Sequence, residues 1–326
     1  MRLILSLPII ILSSCQTLHF YTQGIRGQVE ILQKSQPNST LLASATTPDA
    51  LKKQLTLAGE LCAFATANLD LPGNSAYQRY ADLGRTHVVY VIHAAPEFSL
   101  KAKTWRYPFL GELDYRGYFK ESDAKDLSRQ LESAGYEVFI GGTDAYSTLG
   151  LFHDPLLNTF IDYPEIDLAE TIFHELTHRR IFRNGDTTFN ESLATAVAEE
   201  GVRRWLGSQN RTAALADYEA RLVRRREFFD EIAVTRRQLD ALYASGLSRT
   251  IMRQRKAIIL TNLKHRSRDL QQRWGGKRLN EWLKLDLTNA HLVALISYHQ
   301  DIPKFKQLLA GANGDFTVFF KRAGDL

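Results

Sequence analysis

The chain has 326 residues, 44% of them hydrophobic and 24% charged, with 9 prolines. That is long enough to bury a core and excludes disordered, collagen-like and multi-span membrane proteins. Lys+Arg is 41 against Asp+Glu 36, a formal charge of +5, which is too small an excess to indicate a nucleic-acid partner, and none is expected. The two cysteines, Cys15 and Cys62, cannot build a disulfide framework.

Arg2 precedes an apolar run from Leu3 to Leu12. The run is about ten residues, where a membrane span needs roughly 20, so it reads as a secretory signal. It ends in Leu12-Ser13-Ser14-Cys15, which resembles the bacterial lipobox. The resemblance implies cleavage before Cys15 and diacylglyceryl attachment to its sulfur. Gln16 is not aspartate, so the sorting pattern implies a lipid-anchored protein of the bacterial envelope, at the outer membrane and facing the periplasm. Residues 1–14 are then signal peptide and 15–326 one unit. Cys62, within Leu61-Cys62-Ala63, reads as a buried small residue.

Residues 16–85 read mostly as helix, with a break at Pro37-Asn38 and helical periodicity from Leu51 to Leu69. Val88 to Ile92 is β-branched and aromatic and reads as a strand; Phe109 to Phe119, with Gly111 and Gly117, reads as irregular β or loop. Ser122 to Ala134 is helical, and Tyr136 to Ile140 is a strand closed by Gly141-Gly142. Helices follow over Leu168 to Arg183 and from Asn190 to Trp205. Residues 211–273 predict a long helical hairpin broken at Ala244-Ser245-Gly246-Leu247-Ser248, and a last helix spans Asn289 to Leu309. The fold class is mainly α (α+β), with a small mixed sheet upstream of the 168–183 helix. The working parts are a core at about 86–206, the hairpin at about 211–273 and a C-terminal helical segment at about 279–326.

The chemistry lies in His174-Glu175-Leu176-Thr177-His178. Two histidines at i and i+4 project from one helix face and can meet one zinc ion. Glu175 then lies beside the metal, where it can take a proton from water. A catalytic zinc needs a third protein ligand, and Asn190-Glu191-Ser192-Leu193-Ala194 offers Glu191 once the chain reverses near Asn184-Gly185-Asp186. Glu199 or Glu200 could replace it if the helix entered differently. Glu170, four residues before His174, is either a partner of that histidine or a solvated glutamate. Arg179 and Arg180 depart from the uncharged residues that many zinc peptidases keep after the second histidine.

These motifs resemble the gluzincin metallopeptidases, a zincin-like group whose third ligand is a glutamate from the next helix. More of the chain is similar to the bacterial family of lipoprotein-type predicted aminopeptidases. The similarity lies in the lipobox, Tyr115-Arg116-Gly117-Tyr118-Phe119, Ala145-Tyr146-Ser147-Thr148-Leu149-Gly150, Asp154-Pro155-Leu156-Leu157, the zinc motif and Asn289-Ala290-x-Leu292. The resemblance implies one zinc ion on His174, His178 and Glu191, with Glu175 as general base. It implies a peptide substrate lying along a strand edge, for which Ala145, Tyr146 and Ser147 are candidates. An oxyanion donor is also required: Tyr298 is the first candidate, followed by Tyr146. A free α-amine would need carboxylates, and Asp144, Asp154 and Glu165 are unranked candidates.

The leading expectation is a membrane-anchored zinc aminopeptidase. The rivals are an envelope zinc endopeptidase and a non-catalytic envelope assembly lipoprotein. Peptide deformylase shares H-E-x-x-H but needs a cysteine ligand in a motif that Cys62 does not have. Residues 211–273 hold 15 Lys+Arg against 7 Asp+Glu, so the basic excess sits on the hairpin. It is either a solvated face or a contact for anionic lipid headgroups; protein partners are unspecified.

Overall fold

A computed structural model describes residues 7–108, 111–149, 152–276, 279–296 and 301–326; for 7–16 and 296 it gives the backbone element alone. The described residues are mainly helical, with three small sheets among them. Helix α1 (Leu7–Lys34) leads into strand β1 (Ser35–Pro37), α2 (Asn38–Ala43) and α3 (Asp49–Asn68). The helical reading of residues 16–85 therefore holds for most of that span. It missed β1 and β2 (Arg79–Ala81), three-residue strands too short to show a period. They join β8 (Leu156–Leu157) in a mixed sheet ordered β1-β2-β8.

A second sheet, β6-β3-β7, is antiparallel throughout. It comprises β3 (Val89–Pro96), β6 (Arg116–Tyr118) and β7 (Tyr136–Thr143), with β7 at its edge. Helix α4 (Glu121–Ser133) packs on it through Ala124 and Leu131, which form a small core with Ile92, Ala94 and Tyr118. The irregular aromatic region resolves into a hairpin of β4 (Trp105–Tyr107) and β5 (Gly111–Leu113), then β6. The single mixed sheet expected is thus three separate sheets, one of which draws its last strand from residue 156 onward.

Helix α5 (Glu165–Arg180) starts after Pro164, with Glu165 and Asp167 in its first turn and His178, Arg179 and Arg180 in its last. Both charge placements complement the helix dipole. Its Leu168, Ile172, Phe173 and Leu176 are fully buried, each removing an apolar side chain from water at about 1.5–3 kcal/mol. Helix α6 (Thr187–Ser208) is buried on nearly every face from Phe189 to Leu206, the pattern of a central helix. The two helices touch closely at Gly201, where a Cβ would lie 2.6 Å from Phe173 Cδ2 and 2.8 Å from Leu69 Cδ1. The same core takes in Ile31, Leu55 and Leu61 from upstream. From downstream it takes Phe305 of α11 (Ile302–Gly311) and Phe319 of α12 (Phe316–Gly324).

The hairpin forms as read: α7 (Thr212–Tyr243) and α8 (Arg249–Arg273) flank a turn in which Gly246 takes φ +67°. Ile232, Leu239, Leu263 and Leu270 form its own core, which also takes Leu292. Short α9 (Asn280–Lys284) precedes α10 (Asn289–Ile296). The last helix expected is therefore at least two, α10 and α11. Asn289 ties hairpin to sheet: its Nδ2 donates to the Pro96 carbonyl at 2.9 Å, its Oδ1 accepts from Tyr243 Oη at 2.8 Å, and its N–H donates to Glu137 at 2.7 Å. Part of the hairpin's charge is spent on ion pairs within the chain. Arg253 pairs with Glu97 at 2.5 Å, Arg266 with Glu231 at 2.6 Å, and Lys256 with Glu137. Among the described residues no helix is long and apolar enough to cross a membrane.

Candidate metal centre

The link between α5 and α6 sets the site. Gly185 turns the chain at φ +76°, and Asp186 caps α6 by accepting the Phe189 N–H at 2.9 Å. The buried Asn190 amide accepts the Arg183 N–H at 2.8 Å and donates to the Arg183 carbonyl at 2.8 Å. Both ends of the loop are thereby fixed, and Glu191 is held facing α5.

Glu191 Oε2 lies 3.1 Å from His174 Nε2, the two Nε2 atoms of His174 and His178 lie 3.1 Å apart, and His178 Nε2 lies 3.6 Å from Glu191 Oε1. All three donors fall within 4.8 Å of one another. Ligands about 2.0–2.1 Å from a tetrahedral zinc sit about 3.3 Å from each other, so the spacing and the N, N, O donor set fit such an ion. Burial alone would raise the Glu191 carboxyl, but His178 and His174 hold it far below the ordinary range. Burial would lower His178, and Glu191 reverses this, so its pKa is raised. A buried anion facing two imidazoles is a cation-ready arrangement. Among the described residues His178 Nδ1 is buried without a partner, where a zinc-bound histidine usually makes an outer hydrogen bond.

Glu175 is part-exposed beside these donors. Desolvation raises its pKa, against the pull of His178 and His174 and with help from Glu191 and Asp154. A raised carboxyl pKa suits a base that must also return its proton. Two tyrosines that the sequence did not single out feel these carboxylates. The half-buried Tyr115 phenol is raised by desolvation, then by Glu191, Asp114, Tyr107 and Glu175. The buried Tyr77 phenol is raised by burial and next by Glu175. In the sequence Tyr115 stands out only within Tyr115-Arg116-Gly117-Tyr118-Phe119, and Tyr77 carries no local signal.

The remaining candidates are placed as follows. Ala145, Tyr146 and Ser147 lie past the end of β7, outside any strand. Ala145 and Tyr146 pack on the main core, Tyr146 edge-on to Phe119, and Ser147 Oγ donates to Asp154 at 3.4 Å. The sheet edge that precedes them is β7 itself, which among the described residues pairs only with β3. Tyr298 lies outside the described residues, and so does the side chain of Cys15. Cys62 is buried, as expected, with its thiol raised to about 12.

Neither reading of Glu170 describes it: its oxygens are taken by Arg225 at 2.5 Å and by Arg221. Glu199 pairs with Lys306 at 2.5 Å and Glu200 with Arg204 at 3.0 Å, so neither joins the donor set. The amine candidates are likewise engaged: Asp144 by His87 and Tyr163, Glu165 by Trp205 and Arg211, and Asp154 by Thr148. Arg180 turns outward to Asp70 at 3.0 Å, whereas Arg179, directly after His178, is half-buried and donates from Nη2 to Ser75 Oγ at 3.5 Å.

No curated protein and no solved structure gives a significant match to the chain. One family model, described as "Putative aminopeptidase", matches residues 19–326, the whole of α5 and α6 included. The chain belongs to that family.

Proposed function

We propose that the protein is a zinc-dependent aminopeptidase of gluzincin type, held at a bacterial membrane through lipidated Cys15. The observation that carries the catalytic part is the convergence of His174, His178 and Glu191 at tetrahedral spacing. A zinc ion supplies Lewis acidity toward the scissile carbonyl and lowers the pKa of water. In this reading Glu175 accepts the proton of the attacking water and delivers it to the leaving amine. The edge of β7 aligns the extended substrate backbone by strand addition, and Asn190 keeps Glu191 in register. The exopeptidase class rests on the family description.

Metal analysis and a peptide digest, with and without chelator, test the reading. About one zinc per chain and chelator-sensitive removal of N-terminal residues are expected. Cleavage of N-terminally blocked peptides would shift the assignment to an endopeptidase. A metal content near zero with no cleavage would favour a non-catalytic envelope lipoprotein. The anchor is tested separately, by mass spectrometry of the mature N-terminus.

A further inference from the structure

A cavity of about 610 Å³ lies between α5 and α7, within the size range of small-ligand sites. Its α5 wall is Asp167, Glu170 and Thr171, at helical spacings i, i+3 and i+4. His174 and His178 continue that stripe, so one helical turn, about 5.4 Å, separates the cavity wall from the first metal donor. The α7 wall is Arg221, Arg224 and Arg225, with Phe228 one turn on. Trp274, donating its indole N–H to Glu227 at 2.6 Å, closes one side with an aromatic surface.

The charges in this cavity do not cancel. Arg221 is shared between Asp167 and Glu170, and Arg225 holds Glu170 and reaches Glu199 at 3.5 Å. Both carboxylates lining the cavity are therefore paired with Arg221 or Arg225, and the arginines outnumber them three to two. Arg224 has no carboxylate or hydrogen-bond partner among the described residues, and its Nε is buried without one. A half-buried guanidinium with an open fork matches a carboxylate in shape and charge.

We propose that this cavity seats a carboxylate of the peptide substrate on Arg224, which makes acidic peptides, or short peptides with a free C-terminus, the preferred class. The proposal rests on the peptidase reading for the identity of the ligand. A residue flanking the cleaved bond has the reach to cross one helical turn from the donor set, and Phe228 and Trp274 cover its aliphatic stem.

The test is calorimetric binding to the full-length Glu175→Gln protein, zinc-loaded and metal-free, of three peptides. These are Ala-Glu-Ala amide, Ala-Gln-Ala with a free C-terminus, and Ala-Gln-Ala amide. At least one carboxylate peptide should bind about tenfold tighter than the neutral amide, the gain of one charge-assisted contact. A gain for Ala-Glu-Ala amide identifies the side chain as the source; a gain for the free acid identifies the terminus. Adding Arg224→Gln should erase the gain and leave the neutral peptide unaffected. Arg224→Glu should turn the preference toward Ala-Lys-Ala amide. Equal affinity of the three peptides for the Arg224 protein overturns the proposal without any variant, as does an equal loss for all three in Arg224→Gln. Turnover by the wild type separates the two readings. Cleavage of all three at equal kcat/KM, with no binding preference, removes the carboxylate site and keeps the peptidase. A binding preference with no cleavage keeps the site and removes the peptidase.

Discussion

Asn190 satisfies both backbone groups of Arg183 with one side chain, accepting its N–H at 2.8 Å and donating to its carbonyl at 2.8 Å. The residue next to it supplies the carboxylate of the donor set, so loop geometry and metal geometry are coupled through one peptide unit. Asn190→Ala leaves a part-buried N–H and C=O of Arg183 without this partner, each costing at most about 1–3 kcal/mol. The variant should lose about 2–4 kcal/mol of stability by urea denaturation, and its zinc affinity should fall about 10–100-fold, as for other outer-shell losses. Unchanged zinc affinity in a destabilised variant would show that Glu191 is positioned by packing alone.

Glu175 and Glu191 should separate chemistry from metal binding. Glu175→Gln keeps shape and hydrogen bonding but cannot take a proton. It should bind about one zinc and lose about 10²–10⁴-fold in kcat. Glu191→Ala removes a donor and should fail to retain zinc through dialysis, with activity lost for that reason. The check is zinc content and peptide turnover measured on the same samples. Wild-type turnover by Glu175→Gln would rule out its role as base.

The donor set was legible because its signals are local: an i, i+4 histidine pair, a turn, and a second helix opening on Asn-Glu. The hairpin was legible for the same reason, through an unbroken period and one glycine turn. What the sequence hid is non-local. Glu170 reads as a partner of His174 or as solvated until α7, about fifty residues later, brings Arg221 and Arg225 to it. Tyr115 comes near Glu191 only through the tertiary fold. Strands β1, β2 and β8 are two or three residues long, below any detectable alternation, and pair across up to about 75 residues. The strand-edge expectation overshot by a few residues, since β7 ends at Thr143 and Ala145 and Tyr146 after it pack inward.

Gly201 sets how close α5 and α6 come. In an exposed helix, Gly→Ala would gain about 1 kcal/mol from propensity. Here the added methyl would meet the fully buried Phe173 ring at 2.6 Å, and overpacking costs about 1–3 kcal/mol. The clash should win, so Gly201→Ala is expected to lower stability by about 1–2 kcal/mol. Combining it with Phe173→Leu should cost less than the sum of the two changes, a coupling that a double-mutant cycle measures. A stabilised Gly201→Ala would mean that the ring has room to move.

Glu170 gives the protein an acid-sensitive joint between α5 and α7. Burial alone would raise its carboxyl, but Arg225 and Arg221 outweigh this and hold it below the ordinary value of 4.5. The sign follows: a group with a depressed folded pKa contributes its full stability above the unfolded value. That contribution is lost as pH falls through the folded value, because the unfolded chain then binds the proton first. The wild type should therefore exceed Glu170→Gln in stability at about pH 7, and the gap should narrow below about pH 4.5. Urea denaturation of both proteins across that range checks it. A gap that stays constant or widens toward acid would mean that the two arginines do not hold Glu170 ionised in the folded state.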